Sequence, residues 1–151
     1  MIFSEKNNCP LCKIVRRELP AVIVAENKDV LAIMDLYPAS AGHVLILPRE
    51  HIENIYSIPD DTGSQIMTMT IAVSKAISGQ LQPAGLNLIQ ANGAAAGQTI
   101  NHFHLHLVPR YKNDTVILKF GHGSIPGDSA ELERIALNIR KGISLRLIDM
   151  N

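Results

Sequence analysis

The stretch Asn101-His102-Phe103-His104-Leu105-His106-Leu107-Val108-Pro109-Arg110 constrains this chain more than any other, because its histidines alternate with bulky apolar residues. Successive side chains of an extended strand point to opposite faces, so His102, His104 and His106 are predicted to stand in one row. Phe103, Leu105 and Leu107 then pack behind them. An expression tag is not the source, since tags sit at termini and do not interleave Phe and Leu. Imidazole is a metal ligand as well as an acid, base or nucleophile, so the row alone leaves metal binding and covalent chemistry both open.

Just upstream, Gln90-Ala91-Asn92-Gly93-Ala94-Ala95-Ala96-Gly97-Gln98-Thr99 is a run of small residues ending in two hydrogen-bonding side chains. Glycine permits positive φ and close approach of backbone to a ligand, and successive amides in such a turn form a concave anion site. A phosphate cradle is one reading of this loop; a plain hairpin connection is the other.

The remaining chain supplies a frame for that pair. Its 151 residues, 46% of them apolar with a formal net charge of +0, suit one compact domain over 1–151 and carry no basic footprint for specific nucleic-acid binding. No apolar run approaches the roughly 20 residues of a membrane span and no signal peptide opens the chain, so a soluble cytoplasmic protein is expected. Cys9 and Cys12 stand in a C-x-x-C spacing, read in such a chain as a redox motif or half of a zinc site. Its place almost at the start lacks the strand and βαβ context of a thioredoxin-like motif, which favours zinc if two more ligands exist.

Ile14 to Leu19 is expected as a short helix stopping at Pro20, and Ala21 to Ala25 and Val30 to Met34 as strands around Glu26-Asn27-Lys28-Asp29. His43 to Leu47 reads as another strand. From Pro59 the period changes: Asp60 or Asp61 can cap a helix with Ile66, Met69, Val73 and Ile77 on one stripe, ending near Gly79 to Pro83. Met67 and Met69 are read as core filler. Gly85 to Ile89 returns to strand character. Val116 to Phe120 is a candidate strand or arm, Gly121-His122-Gly123-Ser124 a turn, and Asp128 with Glu131 a capping start for a last helix through Leu132, Ile135, Ile139 and Ile143.

Gly97-Gln98-Thr99 leading into His102-Phe103-His104-Leu105-His106-Leu107-Val108 resembles the signature of the histidine triad (HIT) superfamily of nucleotide hydrolases and transferases. Asp35-Leu36-Tyr37-Pro38-Ala39-Ser40-Ala41-Gly42-His43-Val44-Leu45-Ile46-Leu47-Pro48-Arg49-Glu50-His51 is similar to a second block of that family, and the cysteine pair to its bacterial-type and uridylyltransferase-like members. The resemblance covers about 9–111 and leaves about 112–151 as a C-terminal extension. It implies an α+β, HIT-like fold: an antiparallel sheet carrying the triad on one strand, a long helix from Pro59 to Gln80 packed across it, a C-terminal helix, and a homodimer.

The resemblance also implies roles. His104 would be the nucleophile, held as the right tautomer by the carbonyl of His102, with His106 donating a hydrogen bond to the phosphoryl or leaving oxygen and His43 beside them. Asp35 would bind the ribose hydroxyls; Ile33 and Leu36 offer an apolar wall for a base, a purine by resemblance. Gly97, Gln98, Thr99 and Asn92 would serve phosphate. Cys9, Cys12, His51 and His102 would hold a structural zinc, and no catalytic metal is required. The activity implied is hydrolysis at the α-phosphate of a phosphoramidate or dinucleoside polyphosphate; a nucleotide-binding partner protein and a nucleotidyl transferase are the alternatives. Ala91 departs from the family, several members having Asn or Gln there, and with no Trp in the chain the tryptophan-containing C-terminal element of one branch is absent.

Overall fold

The structure, a computed structural model, describes residues 8–117 and 126–143. Strands β1 (Ile23–Glu26), β2 (Val30–Met34), β3 (Val44–Pro48), β4 (Gly85–Ile89) and β5 (Leu105–Arg110) form an antiparallel sheet in the order β1-β2-β3-β5-β4. Every residue of β2 and β3 is buried. Their unbroken apolar runs follow from that: a strand covered on both faces has no polar side to alternate with.

On one face Val30, Ala32, Met34, Val44, Ile46 and Leu107 meet the stripe Ile66, Met69, Val73, Ala76 and Ile77 of helix α2 (Asp60–Leu81). Helix α3 (Ser129–Lys141) adds Leu132, Ile135, Ala136 and Ile139 to the same core. The opposite face of the same strands, Leu31, Ile33, Leu45 and Leu47, packs on Leu11, Cys9 and Cys12 at the short helix α1 (Pro10–Val15). Burial removes about 25 cal/mol per Å² of apolar surface from water, so the long stripe of α2 is the larger contribution.

Several element expectations shift. The first helix lies at Pro10–Val15 rather than Ile14 to Leu19, because Cys9 caps it by accepting the Cys12 N–H and Arg17, at φ 65°, ends it before Pro20 is reached. Proline at the first position suits a helix start, where its missing N–H costs nothing. The first strand runs Ile23–Glu26, not Ala21 to Ala25, and its turn is closed by Asn27 Oδ1 accepting from Asp29 and Val30. Helix α2 is preceded by Pro59, so neither Asp60 nor Asp61 caps it; both sit in the first turn, where carboxylates favour the helix dipole.

Asp128 does cap α3, accepting the Glu131 N–H at 2.9 Å. Val116 and Ile117 are not strand, and the rest of the expected arm, with the Gly121 to Ser124 turn and His122, lies outside the described residues. Among the described residues no helix is long and apolar enough to cross a membrane.

Candidate active site

Strand β5 begins only at Leu105, so His106 alone of the three row histidines lies within it. His102 and His104 belong to the segment leading in, where the Phe103 N–H donates to Ile52 O at 2.6 Å. The alternation survives this. Phe103 and Leu107 enter the helix-side core, whereas Leu45, the cross-strand partner of His106, packs on the opposite face. The rings of His104 and His106 meet edge to face with centroids 4.9 Å apart, and His43 approaches His106 at 5.1 Å.

Backbone groups decide which nitrogens carry protons. His104 Nδ1 lies 2.7 Å from the carbonyl of His102, an acceptor only, so Nδ1 is the protonated atom and Nε2 keeps its lone pair. The Ala39 N–H donates to His43 Nδ1 at 3.0 Å, which places the proton of a neutral His43 on Nε2. That Nε2–H points at His106 Nδ1, 2.9 Å away, so His106 accepts there and carries its own proton on Nε2. One ring therefore presents a base and another a donor. Burial pushes His43 down to about 4 and His106 to about 3, and lowers His104 as well, so these rings are neutral near pH 7.

Asp35 closes this group. One carboxylate oxygen accepts the Tyr37 N–H at 2.8 Å; the other lies 3.4 Å from His43 Nε2 and 3.8 Å from His106 Nδ1. Desolvation raises its carboxyl to about 6. Leu36 is exposed beside it, whereas Ile33, expected to share an apolar wall with it, is buried in the α1-side core. The Leu36 carbonyl accepts the Gly127 N–H at 2.8 Å, tying the segment before α3 to this loop, a contact without any side-chain signal in the sequence.

The small-residue loop forms a 3₁₀ turn at Ala94–Ala96 between Gly93 and Gly97, both at positive φ. Its donors are not arranged as expected. The Gly97 N–H bonds to Ala94 O, and the Gln98 N–H to Gly93 O. Gln98 is buried, its amide donating to Glu53 O and Ile100 O while accepting from Gly93, so it braces the loop instead of offering a free donor. Asn92 likewise accepts the Ile55 N–H and donates to Gln90. Thr99 is exposed. A cavity of about 260 Å³ beside it reaches Cys9 and His51.

Cys9, Cys12, His51 and His102 come together, their ligand atoms all within 4.8 Å of one another. Sulfur lies 3.1 Å (Cys12 to His51), 3.4 Å (Cys12 to His102) and 3.6 Å (Cys9 to His102) from Nδ1. Tetrahedral zinc with ordinary Zn–S and Zn–N bonds requires about 3.6 Å. His102 Nε2 lies 2.9 Å from the Pro48 carbonyl, so its proton is drawn there and Nδ1 faces the sulfurs with a lone pair. Such a second-side hydrogen bond is the usual way a ligating imidazole is oriented. His51 Nε2 is buried without a partner among the described residues, as expected of a ring turned to place Nδ1 at the cluster. The donor set and spacing fit zinc.

A model of the HIT domain matches residues 16–113, about two thirds of the chain, taking in both the Asp35 to His51 block and the triad, with the cysteine pair outside the matched span. The chain belongs to the HIT family. This HIT protein is 33% identical over 136 residues to the adenosine 5′-monophosphoramidase of Schizosaccharomyces pombe, covering 90% of this chain and 98% of that one. The crystal structure of a HIT-like protein from Bartonella henselae superposes with a TM-score of 0.83 at 31% identity, covering 92% and 98% of the two chains. A zinc-bound histidine triad family protein from Mycobacterium smegmatis gives 0.77 at 27% identity, covering 91% and 94%.

Proposed function

We propose that this HIT protein is a nucleotide hydrolase that cleaves at the α-phosphorus of a nucleoside 5′-phosphate derivative, a phosphoramidate first, through a nucleotidyl intermediate on His104. The observation that carries this reading is the hydrogen bond from His104 Nδ1 to the His102 carbonyl, which leaves Nε2 unprotonated. A neutral imidazole so held can attack phosphorus without first losing a proton, and the carbonyl stabilises the cation that forms. The P–N bond to the leaving amine breaks as that nitrogen takes the proton of His106 Nε2; water then attacks the same phosphorus, returning a proton to His106, and His104 departs as a neutral ring.

His106, protonated on Nε2, hydrogen-bonds a phosphoryl oxygen or the leaving atom, nitrogen in a phosphoramidate, and His43 holds it in that tautomer. Thr99 is the exposed loop residue suited to a non-bridging oxygen, with Gln98 keeping the loop in shape. Asp35 would receive the ribose hydroxyls, a pair of donors that favours its charged form. The phosphoramidase named among the relatives supports a phosphoramidate and an adenosine nucleotide as first substrates to test.

Cys9, Cys12, His51 and His102 would hold a structural zinc. Four protein ligands leave no open position for water, so the ion's part is to fix His102, whose carbonyl in turn holds His104. Adenosine 5′-phosphoramidate is the decisive assay. The proposal expects release of adenosine monophosphate by the parent and labelled nucleotide trapped on His104 after a denaturing quench at alkaline pH, where the P–N bond survives; turnover that survives in His104→Ala would defeat it.

A further inference from the structure

Two imidazole clusters lie on one side of the sheet, and both have the dimensions of a transition-metal site. Asp35 Oδ2, His43 Nε2 and His106 Nδ1 are separated by 2.9, 3.4 and 3.8 Å. An ion bound at about 2.1 Å with bond angles between octahedral and tetrahedral needs ligand spacings of about 3.0 to 3.4 Å. Two histidines and one carboxylate at this spacing are the kind of set that binds divalent iron, cobalt or zinc. Only the 3.8 Å between Asp35 and His106 exceeds that range, by a few tenths of an ångström that a carboxylate rotation closes, so distance does not tell this group from Cys9, Cys12, His51 and His102. The protons do.

At His102 the Pro48 carbonyl takes the Nε2–H, so the lone pair sits on Nδ1, facing the sulfurs. At His43 the backbone partner has the opposite polarity. The Ala39 N–H donates into Nδ1 at 3.0 Å, so the ring keeps its proton on Nε2, the atom that would have to bind the ion. Moving that proton to Nδ1 would set two N–H groups against each other and leave both unpaired, in a ring only 1% exposed. The Nε2–H also occupies the lone pair of His106 Nδ1, the second would-be ligand.

We infer that the Ala39 N–H is a metal-exclusion group: by fixing the tautomer of His43 it keeps divalent transition ions off Asp35, His43 and His106. The Pro48 carbonyl, by the same logic, directs them to the cysteine cluster. This goes beyond the hydrolase reading and does not depend on it, since metal occupancy is measured without substrate. Ala39 acts through its main chain, so Ala39→Ser keeps the effect and Ala39→Pro, which lacks the N–H, removes it.

Long-range proton–nitrogen correlation NMR on histidine-labelled protein reads the tautomers directly. His43 is expected as the Nε2–H form; an Nδ1–H form overturns the inference even if no variant folds. Cobalt(II) titration supplies the second reading. The parent and Ala39→Ser should take one ion, seen by thiolate charge-transfer absorption. Ala39→Pro should take a second ion, without added thiolate absorption, at least about tenfold more tightly than the parent does. A second cobalt bound by the parent and lost in Asp35→Asn overturns the inference, as does equal second binding by parent and Ala39→Pro.

Discussion

The helix-covered face of the sheet and the face carrying the imidazoles share strands β2 and β3, but they are held in different ways. Against α2 and α3 the contacts are apolar, continuous and long, with Met69, Val73 and Ile77 fully buried among strand residues. On the other side the cover is the six-residue α1, and order depends on directional bonds: Pro48 O to His102, His102 O to His104, Ala39 N–H to His43. Apolar packing is tolerant of detail and supplies stability; a hydrogen bond that selects a tautomer supplies little stability but decides reactivity. Substitutions at the tautomer-selecting bonds should therefore show in activity and those in the helix-side core in stability, with the cysteine cluster, which also anchors α1, showing in both.

The sharpest break is His104→Ala. It is expected to lower turnover of adenosine 5′-phosphoramidate by about 10⁴-fold, since loss of the attacking atom removes the covalent route, while leaving the α2 face folded as judged by far-ultraviolet circular dichroism. Next is the cysteine cluster. Cys12→Ser, or removal of metal by a chelator, should lower the free energy of unfolding by about 4 kcal/mol or more and release His102 and with it His104. Denaturant unfolding alongside elemental analysis checks it; a chain that binds no metal and unfolds unchanged after Cys12→Ser contradicts the assignment.

The helix face answers in the opposite sense. Met69→Ala, in a side chain with 0% exposure, should cost about 3 kcal/mol in denaturant unfolding and leave the turnover number of the folded fraction within about twofold. Gly142→Ala sharpens the same point at the end of α3. A Cβ there would come 2.8 Å from the Ala76 Cα, so the two helices must part, at about 1–3 kcal/mol. If either change instead altered turnover as strongly as stability, the division between the faces would not hold.

How far the chain could be read in advance follows the same division. The apolar runs of β2 and β3 and the stripe of α2 were legible because burial imposes a period on side chains. The alternation from His102 to His106 gave the facing of the rings even though the regular strand starts at Leu105. What escaped, apart from the His102 carbonyl that the family resemblance supplied, were the main-chain partners of the other histidines. Nothing in the identity of Pro48 or Ile52 announces that its carbonyl meets the histidine segment, nor in that of Ala39 that its N–H meets His43. The loop is a similar case: the identity of Gln98 does not announce that its amide is used within the fold. The first helix was displaced because Cys9 acts as a cap, a use of thiol that the C-x-x-C spacing concealed.

The smallest expected effect tests whether the imidazole face is electrostatically coupled as its distances imply. His43 and His106 have folded pKa values of about 4 and 3, below the ordinary 6.5. Their neutral forms stabilise the fold above about pH 6.5, and that stability is lost as pH falls through 4. Asp35 has the opposite sign. Its folded value of about 6 lies above the ordinary 3.8, so its contribution is fully present below 3.8 and is lost as pH rises through 6. Between about pH 6 and 4 the unfolded chain takes up two protons on these histidines while the folded chain takes up one on Asp35. From these three groups the net slope is about one proton, or about 1.4 kcal/mol per pH unit, on top of what His102 and His104, also lowered by burial, contribute. Asp35→Asn removes the offset and should steepen the slope by about one proton, measured as the difference in urea midpoints between parent and variant at pH 6.0, 5.0 and 4.5. Parallel lines for the two proteins would mean that Asp35 titrates as a solvated carboxylate, and that the face it occupies is wetter than its burial suggests.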